Sequence, residues 1–227
     1  MIDVIAAART YRQGRRVIEA VRGVTLRVET GEFVTIMGPS GSGKSTLMHL
    51  MGALDTPTAG RILFEGRDLT AMTDKQRSLF RRDRVGFVFQ AFNLLPTMTA
   101  AENVALPLLL GGTNRTAAIA KAMIALSRVG LANRADHFPD EMSGGEVQRT
   151  AVARAVVGNP AVVLCDEPTG NLDTKASRDV LQLLADLPEA GKRAVVMVTH
   201  DPNAAAVGTR IVHVRDGLVE ADELVLA

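Results

Sequence analysis

The sequence predicts an α/β fold, a parallel sheet covered by helices and interrupted by a helical insertion. Three observations predict it. Ala161–Cys165 (Ala-Val-Val-Leu-Cys) and Ala194–Val198 (Ala-Val-Val-Met-Val) are continuous apolar runs of strand length, the pattern of strands buried on both faces. The helical stretch Asp173–Leu187 lies between them, so the order is strand–helix–strand. From about Ala91 to Val157 the chain turns Leu/Ala-rich and mostly helical.

The elements follow in chain order. The first ~35 residues alternate in short apolar runs, and Val24-Thr25-Leu26-Arg27-Val28 has the period of two of a half-buried strand. Glu29-Thr30-Gly31-Glu32 turns the chain into the apolar, β-branched run Phe33–Met37, which enters a Gly/Ser-rich loop and then the helical stretch Lys44–Ala53. Thr99 and Glu102 have capping-box spacing before Asn103–Leu110. Thr116–Val129 is a second inserted helix, with Gly130 as its C-terminal cap. Gly145–Val157 is a third, stopped by Gly158-Asn159-Pro160. Near the end, Arg210–Arg215 and Leu218–Glu220 flank Asp216-Gly217, a hairpin signal.

The 227 residues suffice for one large domain or a domain with an insertion. At 47% hydrophobic and 22% charged the chain can build an ordinary core, and a net charge of +1 calls for neither nucleic acid nor an anionic membrane. The single cysteine, Cys165, rules out an intrachain disulfide, fits a reducing compartment, and reads as a small buried hydrophobe. Met1-Ile2-Asp3-Val4-Ile5 lacks the basic start of a signal peptide. The most apolar stretches, such as Val104–Leu110, are far shorter than a membrane span, so any spanning falls to another chain.

Gly38-Pro39-Ser40-Gly41-Ser42-Gly43-Lys44-Ser45 fits G-x-x-x-x-G-K-[ST], and Thr46 follows. The glycines let backbone N–H groups turn inward onto phosphate oxygens, and the helix behind adds its positive N-terminus. Lys44 has the reach for β/γ phosphates, and the Ser45 hydroxyl suits Mg²⁺. The alternative is a flexible loop with a solvated lysine, but the match falls after an apolar strand and at a helix start. The run Ala161–Cys165 ends in Asp166-Glu167, at the strand end where open parallel sheets bind ligands. Asp166 is placed to hold Mg²⁺ through water, and Glu167 to orient or deprotonate the attacking water. Ser143-Gly144-Gly145 at a helix start forms a second anion-binding device, far from the first in sequence.

Met142-Ser143-Gly144-Gly145-Glu146-Val147-Gln148-Arg149 resembles the L-S-G-G-Q signature of the ABC transporter ATPases. The resemblance covers nearly the whole chain: the phosphate loop, Gln90 as Q-loop, the signature, Asp166-Glu167, Asn171-Leu172-Asp173 as D-loop, and His200 as switch histidine. It implies a P-loop NTPase core with an N-terminal antiparallel β subdomain and an inserted α-helical subdomain. The whole is a single domain over 1–227, with 1–90 and 158–227 as the α/β catalytic core and 91–157 as the helical signature subdomain. It implies hydrolysis of ATP with Mg²⁺. Catalytic roles fall on Glu167, His200 and Gln90, and metal roles on Ser45, Gln90 and Asp166. Nucleotide contacts fall on Tyr11, Gly38, Ser40, Gly41, Ser42, Gly43, Lys44, Ser45, Thr46, Ser143, Gly144, Gly145 and Asp173. In the family two domains pair head to tail, each signature closing over the ATP of the other, which implies a homodimer in the ATP-bound state. Met142, Glu146 and Val147 depart from the usual signature; Ser143 and Gly145 do not. Tyr11, the only tyrosine, sits where the family stacks an aromatic on adenine, and a surface tyrosine is the other reading.

Pro168–Asp173 and Gln90–Pro96 resemble the branch of lipoprotein-releasing, macrolide-exporting and cell-division ATPases. That likeness implies a separate integral-membrane permease with few helices and a cytoplasmic chain held at the inner face of the membrane through it. No fused permease or regulatory domain is expected after the hairpin. Phe92, Leu94, Leu95 and Met98 form either a groove for a permease helix or core of the insertion, and Arg77, Arg81, Arg82 and Arg84 form either a solvated face or a membrane-proximal one. Two other classes stand beside this: an ATPase acting on DNA or ribosomes, disfavoured by the lack of heptads and of a basic patch, and a cell-division scaffold.

Overall fold

The computed structural model describes residues 1–14, 16–188 and 193–225, without the side chain of Gln13. The chain begins with strands β1 (Ile2–Gln13), β2 (Arg16–Val28) and β3 (Phe33–Met37), followed by helix α1 (Lys44–Met51). Next come β4 (Ala59–Phe64), β5 (Arg67–Asp68), α2 (Asp74–Arg84) and β6 (Val85–Phe89). Helices α3 (Ala100–Leu110), α4 (Arg115–Arg128) and α5 (Gly144–Val156) lead to β7 (Val162–Asp166), α6 (Thr174–Ala185) and β8 (Ala194–Thr199). The short α7 (Pro202–Ala205) and the hairpin β9 (Arg210–Arg215) and β10 (Leu218–Leu224) finish it. Among the described residues no helix is long and apolar enough to cross a membrane.

The described strands form two sheets. A four-stranded sheet has the order β2-β1-β4-β5, with every pairing antiparallel. A six-stranded sheet has the order β10-β9-β3-β8-β7-β6 and is parallel except for β10. The antiparallel sheet lies in the N-terminal third of the chain, with β4 and β5 joining it after the phosphate-loop helix. Glu65 and Gly66, at φ 51° and 79°, supply the left-handed pair that a two-residue turn between β4 and β5 requires.

The parallel strands are buried on both faces. Val162, Leu164, Val196 and Val198 face one cluster with Leu47, Met48, Leu50 and Met51 of α1 and with Ile2, Val4 and Ile62 of the antiparallel sheet. Val163, Cys165, Val195 and Met197 face the other, with Val152 of α5 and Val180 and Leu184 of α6. Thus α1 lies between the two sheets, its N-terminus at the carboxyl ends of β3 and β7. Leu164 has no exposed surface, so Leu164→Ala should lower unfolding free energy by about 2–5 kcal/mol, measured by denaturant titration.

A third cluster holds the helices together, built from Ala101, Val104, Ala118, Ala122, Leu126 and Leu131. Thr99 caps α3 in a capping box with Glu102, as its spacing predicts. Helix α4 starts one residue earlier than Thr116, on an Asn114 cap, and ends with Gly130 at φ 74°. There Gly130 N–H reaches Ser127 O and Leu131 N–H reaches Leu126 O, the paired bonds of a Schellman ending. The arginines of α2 are engaged in local structure: Arg77 with Asp74 and Thr56, Arg81 with Ala53 O, Arg82 with Asp83, and Arg84 with Glu65. That favours the solvated-face reading of this run over a membrane-proximal one.

Candidate functional site

The phosphate loop joins β3 to α1. Its glycines are set by backbone geometry: a Cβ on Gly43, at φ 100°, would lie 2.0 Å from Ala20 O, and one on Gly38 would lie 2.0 Å from Val214 O. Gly43 caps α1 with no side-chain bond, so the first N–H groups of the helix face the loop. Ser40 and Gly41 are exposed, Ser42 is buried, and Ser45 and Thr46 are half-buried. Lys44 is 5% exposed and donates from Nζ to Pro39 O at 2.7 Å. Burial pushes its ammonium below the usual lysine range, and the Glu167 and Asp166 carboxylates pull it partly back.

The parallel pairing of β3, β8 and β7 brings their carboxyl ends together. Ser45 Oγ donates to Asp166 Oδ1 at 2.9 Å, so hydroxyl and carboxylate, both hard oxygen donors, stand side by side. Among the described residues no group of three or more His, Cys, Asp or Glu could hold a metal. A hydroxyl and one carboxylate, with the rest left to water and phosphate, is the donor set that suits Mg²⁺. His49 Nε2, which belongs to no motif, lies 4.0 Å from Asp166 Oδ2.

Glu167 has φ 45°, a left-handed conformation that strains a side-chain-bearing residue. Its N–H bonds to Val198 O and its carbonyl accepts from Gly170 N–H, which holds the bend. His200 Nδ1 is 3.0 Å from Glu167 Oε1. Both line a cleft of about 860 Å³ with Thr199, Asp201 and Arg178. The buried Cys165 thiol behind them is pushed up by burial, which keeps it protonated and inert.

Gln90 directly follows β6 but turns elsewhere. Its Nε2 donates to Asn171 Oδ1 at 3.2 Å, and Asn171 Nδ2 donates back to Gln90 O at 3.0 Å. Phe92 and Asn93 then take φ 62° and 54°, and the Arg154 guanidinium of α5 binds both of their carbonyls. The fully buried Asn103 ties down the next turn, donating to Leu95, Met98 and Thr99 carbonyls and accepting from Leu95 N–H. Phe92, Leu94, Leu95 and Met98 are thus held by polar bonds, partly or fully exposed, and outside the helical core. Beside them a groove of about 400 Å³ runs between Leu54, Phe87, Leu106 and Leu110.

The signature begins α5. Ser143 is its N-cap, donating from Oγ to Glu146 Oε2 at 2.8 Å, while its own N–H donates to the same oxygen at 2.9 Å. Arg134 Nε binds Glu146 Oε1 at 2.9 Å. The Ser143 bonds, aided by Arg134, hold the Glu146 carboxyl at about 2, against 4.5 for a free one. The folded value is depressed, so the stability it contributes is complete above pH 4.5 and is lost as pH falls through about 2. Ser143→Ala should remove the cap and about 1 kcal/mol of stability at pH 7, read from chemical denaturation. Gly145 answers to packing as well: a Cβ there would lie 2.8 Å from Ala176 Cβ of α6. Ser143, Gly144 and Gly145 line a cleft of about 350 Å³ with Arg149, Asn171 and Asp173, and no phosphate-loop residue reaches it. Asp173 caps α6, accepting from Lys175 and Ala176 N–H.

Tyr11 donates its hydroxyl to Asp55 Oδ2 at 2.7 Å, with the Arg9 guanidinium 4.7 Å from its ring centre. The structure thus brings Lys44, Ser45, Asp166, Glu167 and His200 to the carboxyl ends of β3, β7 and β8, pairs Gln90 with Asn171, and sets Ser143–Gly145 apart.

A family model described as ABC transporter matches residues 21–170. The macrolide export ATP-binding/permease protein MacB of Bdellovibrio bacteriovorus is 42% identical over 98% of this chain, which spans 34% of that protein. The chain thus spans about a third of the length of that relative. An uncharacterized ABC transporter ATP-binding protein of Thermotoga maritima is 45% identical over 98% of this chain and 95% of its own length. Among solved structures, a dimeric ATP-binding cassette in a post-hydrolysis state, bound to ADP and Pi, superposes with a TM-score of 0.91 at 41% identity over the full length of both chains.

Proposed function

The chain belongs to the ABC transporter family of ATP-binding cassettes, and from that premise we propose that it is the ATP-hydrolysing subunit of a transporter complex. It pairs head to tail with a second copy around two ATP molecules and drives a separate membrane permease. One observation carries this most directly: the signature at the start of α5 opens into a cleft that contains no phosphate-loop residue. Two phosphate-facing helix starts on one chain that share no cleft serve one nucleotide only if a partner supplies the second.

In this reading the phosphate-loop N–H groups and Lys44 hold the β and γ phosphates, and Ser143 and Gly145 of the partner copy close over the γ phosphate. Ser45 and, through water, Asp166 would hold Mg²⁺, which would neutralise charge on the phosphates, and Gln90 would join that set. Glu167 orients and deprotonates the attacking water. His200, 3.0 Å from Glu167, contacts the γ phosphate. Tyr11 offers its ring to adenine, anchored through Asp55.

The relative named as a macrolide export ATP-binding/permease protein joins such a cassette to a permease in one chain. We assign the groove between Leu54, Phe87 and Leu110 to a permease helix; this places the chain at the cytoplasmic face of the membrane when assembled. This reading covers export, lipoprotein release and a cell-division role alike. Leu110 is 67% exposed, so Leu110→Glu should spare folding and basal ATPase activity while lowering permease-stimulated activity by about tenfold, as for loss of one interface anchor. Unchanged stimulation would remove the groove from the interface. The hydrolysis itself is tested by phosphate release from purified chain with Mg-ATP.

A further inference from the structure

Gln148 lies in the second turn of α5 and is fully buried. Its Nε2 donates to Pro168 O and, at 3.4 Å, to Phe89 O. Among the described residues its Oε1 has no partner. Both neighbours are carbonyl acceptors, so the amide must present its two N–H groups to them; the flipped amide would set oxygen against oxygen. Each carbonyl adjoins a motif residue. Phe89 precedes Gln90, and Pro168 follows Glu167. Proline has no N–H, so the carbonyl is the only backbone group through which residue 168 can be held by a hydrogen bond. It is Gln148 that holds it, next to the strained Glu167 at φ 45°.

We propose that Gln148 is a positioning residue for hydrolysis: it fixes the backbone that carries the Glu167 carboxylate and ties it to α5, the helix that begins with the signature. The proposal rests on Glu167 acting on the attacking water. Movement of α5 against the sheet then reaches Glu167 and Gln90 through a single side chain.

The test is a double-mutant cycle. Q148M removes both donors while keeping length and volume. It should lower kcat about 10- to 100-fold, the effect of a small misplacement of a reacting group. KM for ATP and equilibrium binding of a fluorescent ATP analogue should stay within about twofold of the parent. In an E167Q background the same substitution should change the residual rate by less than about twofold, since the group it positions is already gone. Equal losses in both backgrounds, or a parent-like kcat in Q148M, overturn the proposal. Parent-like turnover in E167Q alone overturns the reading of Glu167 beneath it. If Q148M does not fold cooperatively, Q148N, which keeps the amide but shortens its reach, carries the same expectations.

Discussion

Glu167→Gln is expected to lower ATP turnover by roughly 10²- to 10⁴-fold, the range for loss of a positioned general base. The amide keeps the size of the carboxylate and can still meet His200 Nδ1, now 3.0 Å from Oε1. It cannot take a proton from water. Binding should therefore survive: ATP affinity stays near the parent value, and the nucleotide recovered from the protein is ATP, not ADP. Single-turnover phosphate release measures the first quantity, and chromatography of extracted nucleotide the second. Parent-like turnover in this variant would show that Glu167 is not the base.

Lys44→Ala should abolish measurable hydrolysis and weaken ATP binding by at least about tenfold, since a hydrogen bond to a charged group contributes about 1.5–3 kcal/mol. Isothermal titration checks the affinity. Folding should behave differently. Lys44 is 5% exposed and its ammonium is disfavoured by burial. Removing it should leave the melting temperature unchanged or slightly raised. Lys44→Arg should not restore activity, because a planar guanidinium does not match a compact ammonium in a buried loop. Loss of stability in step with loss of binding would mean that Lys44 is structural.

Much of the fold was legible in the sequence because its strands are buried on both faces. Val162–Asp166 and Ala194–Thr199 have no room for polar residues in their middles, so each appears as an unbroken apolar run. The caps were legible because they are local: Thr99 and Glu102, or Asp216 and Gly217 at φ 48° and 77°, act within four residues. Strands β4 and β6 escaped because glycines break their pattern. A Cβ on Gly60 would lie 2.2 Å from Ala6 O, and one on Gly86 2.3 Å from Ala155 O; these glycines are there for backbones that approach from far along the chain. Helix α2 escaped because it buries only Phe80 and so carries almost no apolar stripe.

The site divides the same way. Residue types and their spacing named Lys44, Ser45, Asp166 and Glu167, and the parallel register of β3, β8 and β7 accounts for their meeting. The amide exchange between Gln90 and Asn171, the Arg154 clamp and the buried Gln148 join positions 20 to 81 residues apart. No local pattern encodes such pairs. Glu146 shows the reverse case. It stood out as a departure from the usual signature, and the structure gives it a local purpose, closing the capping box on Ser143 and binding Arg134.

In the proposed dimer, Gly38–Thr46 of one copy and Ser143–Gly145 of another share each ATP. The molar mass of the Glu167→Gln chain, from light scattering with and without Mg-ATP, together with nucleotide stoichiometry, decides whether the site is shared. A shared site requires a monomer without nucleotide and, with ATP, a dimer holding two ATP, which Ser143→Arg prevents while each separate chain still binds ATP. A Glu167→Gln chain that stays monomeric when saturated with ATP rules out a shared site.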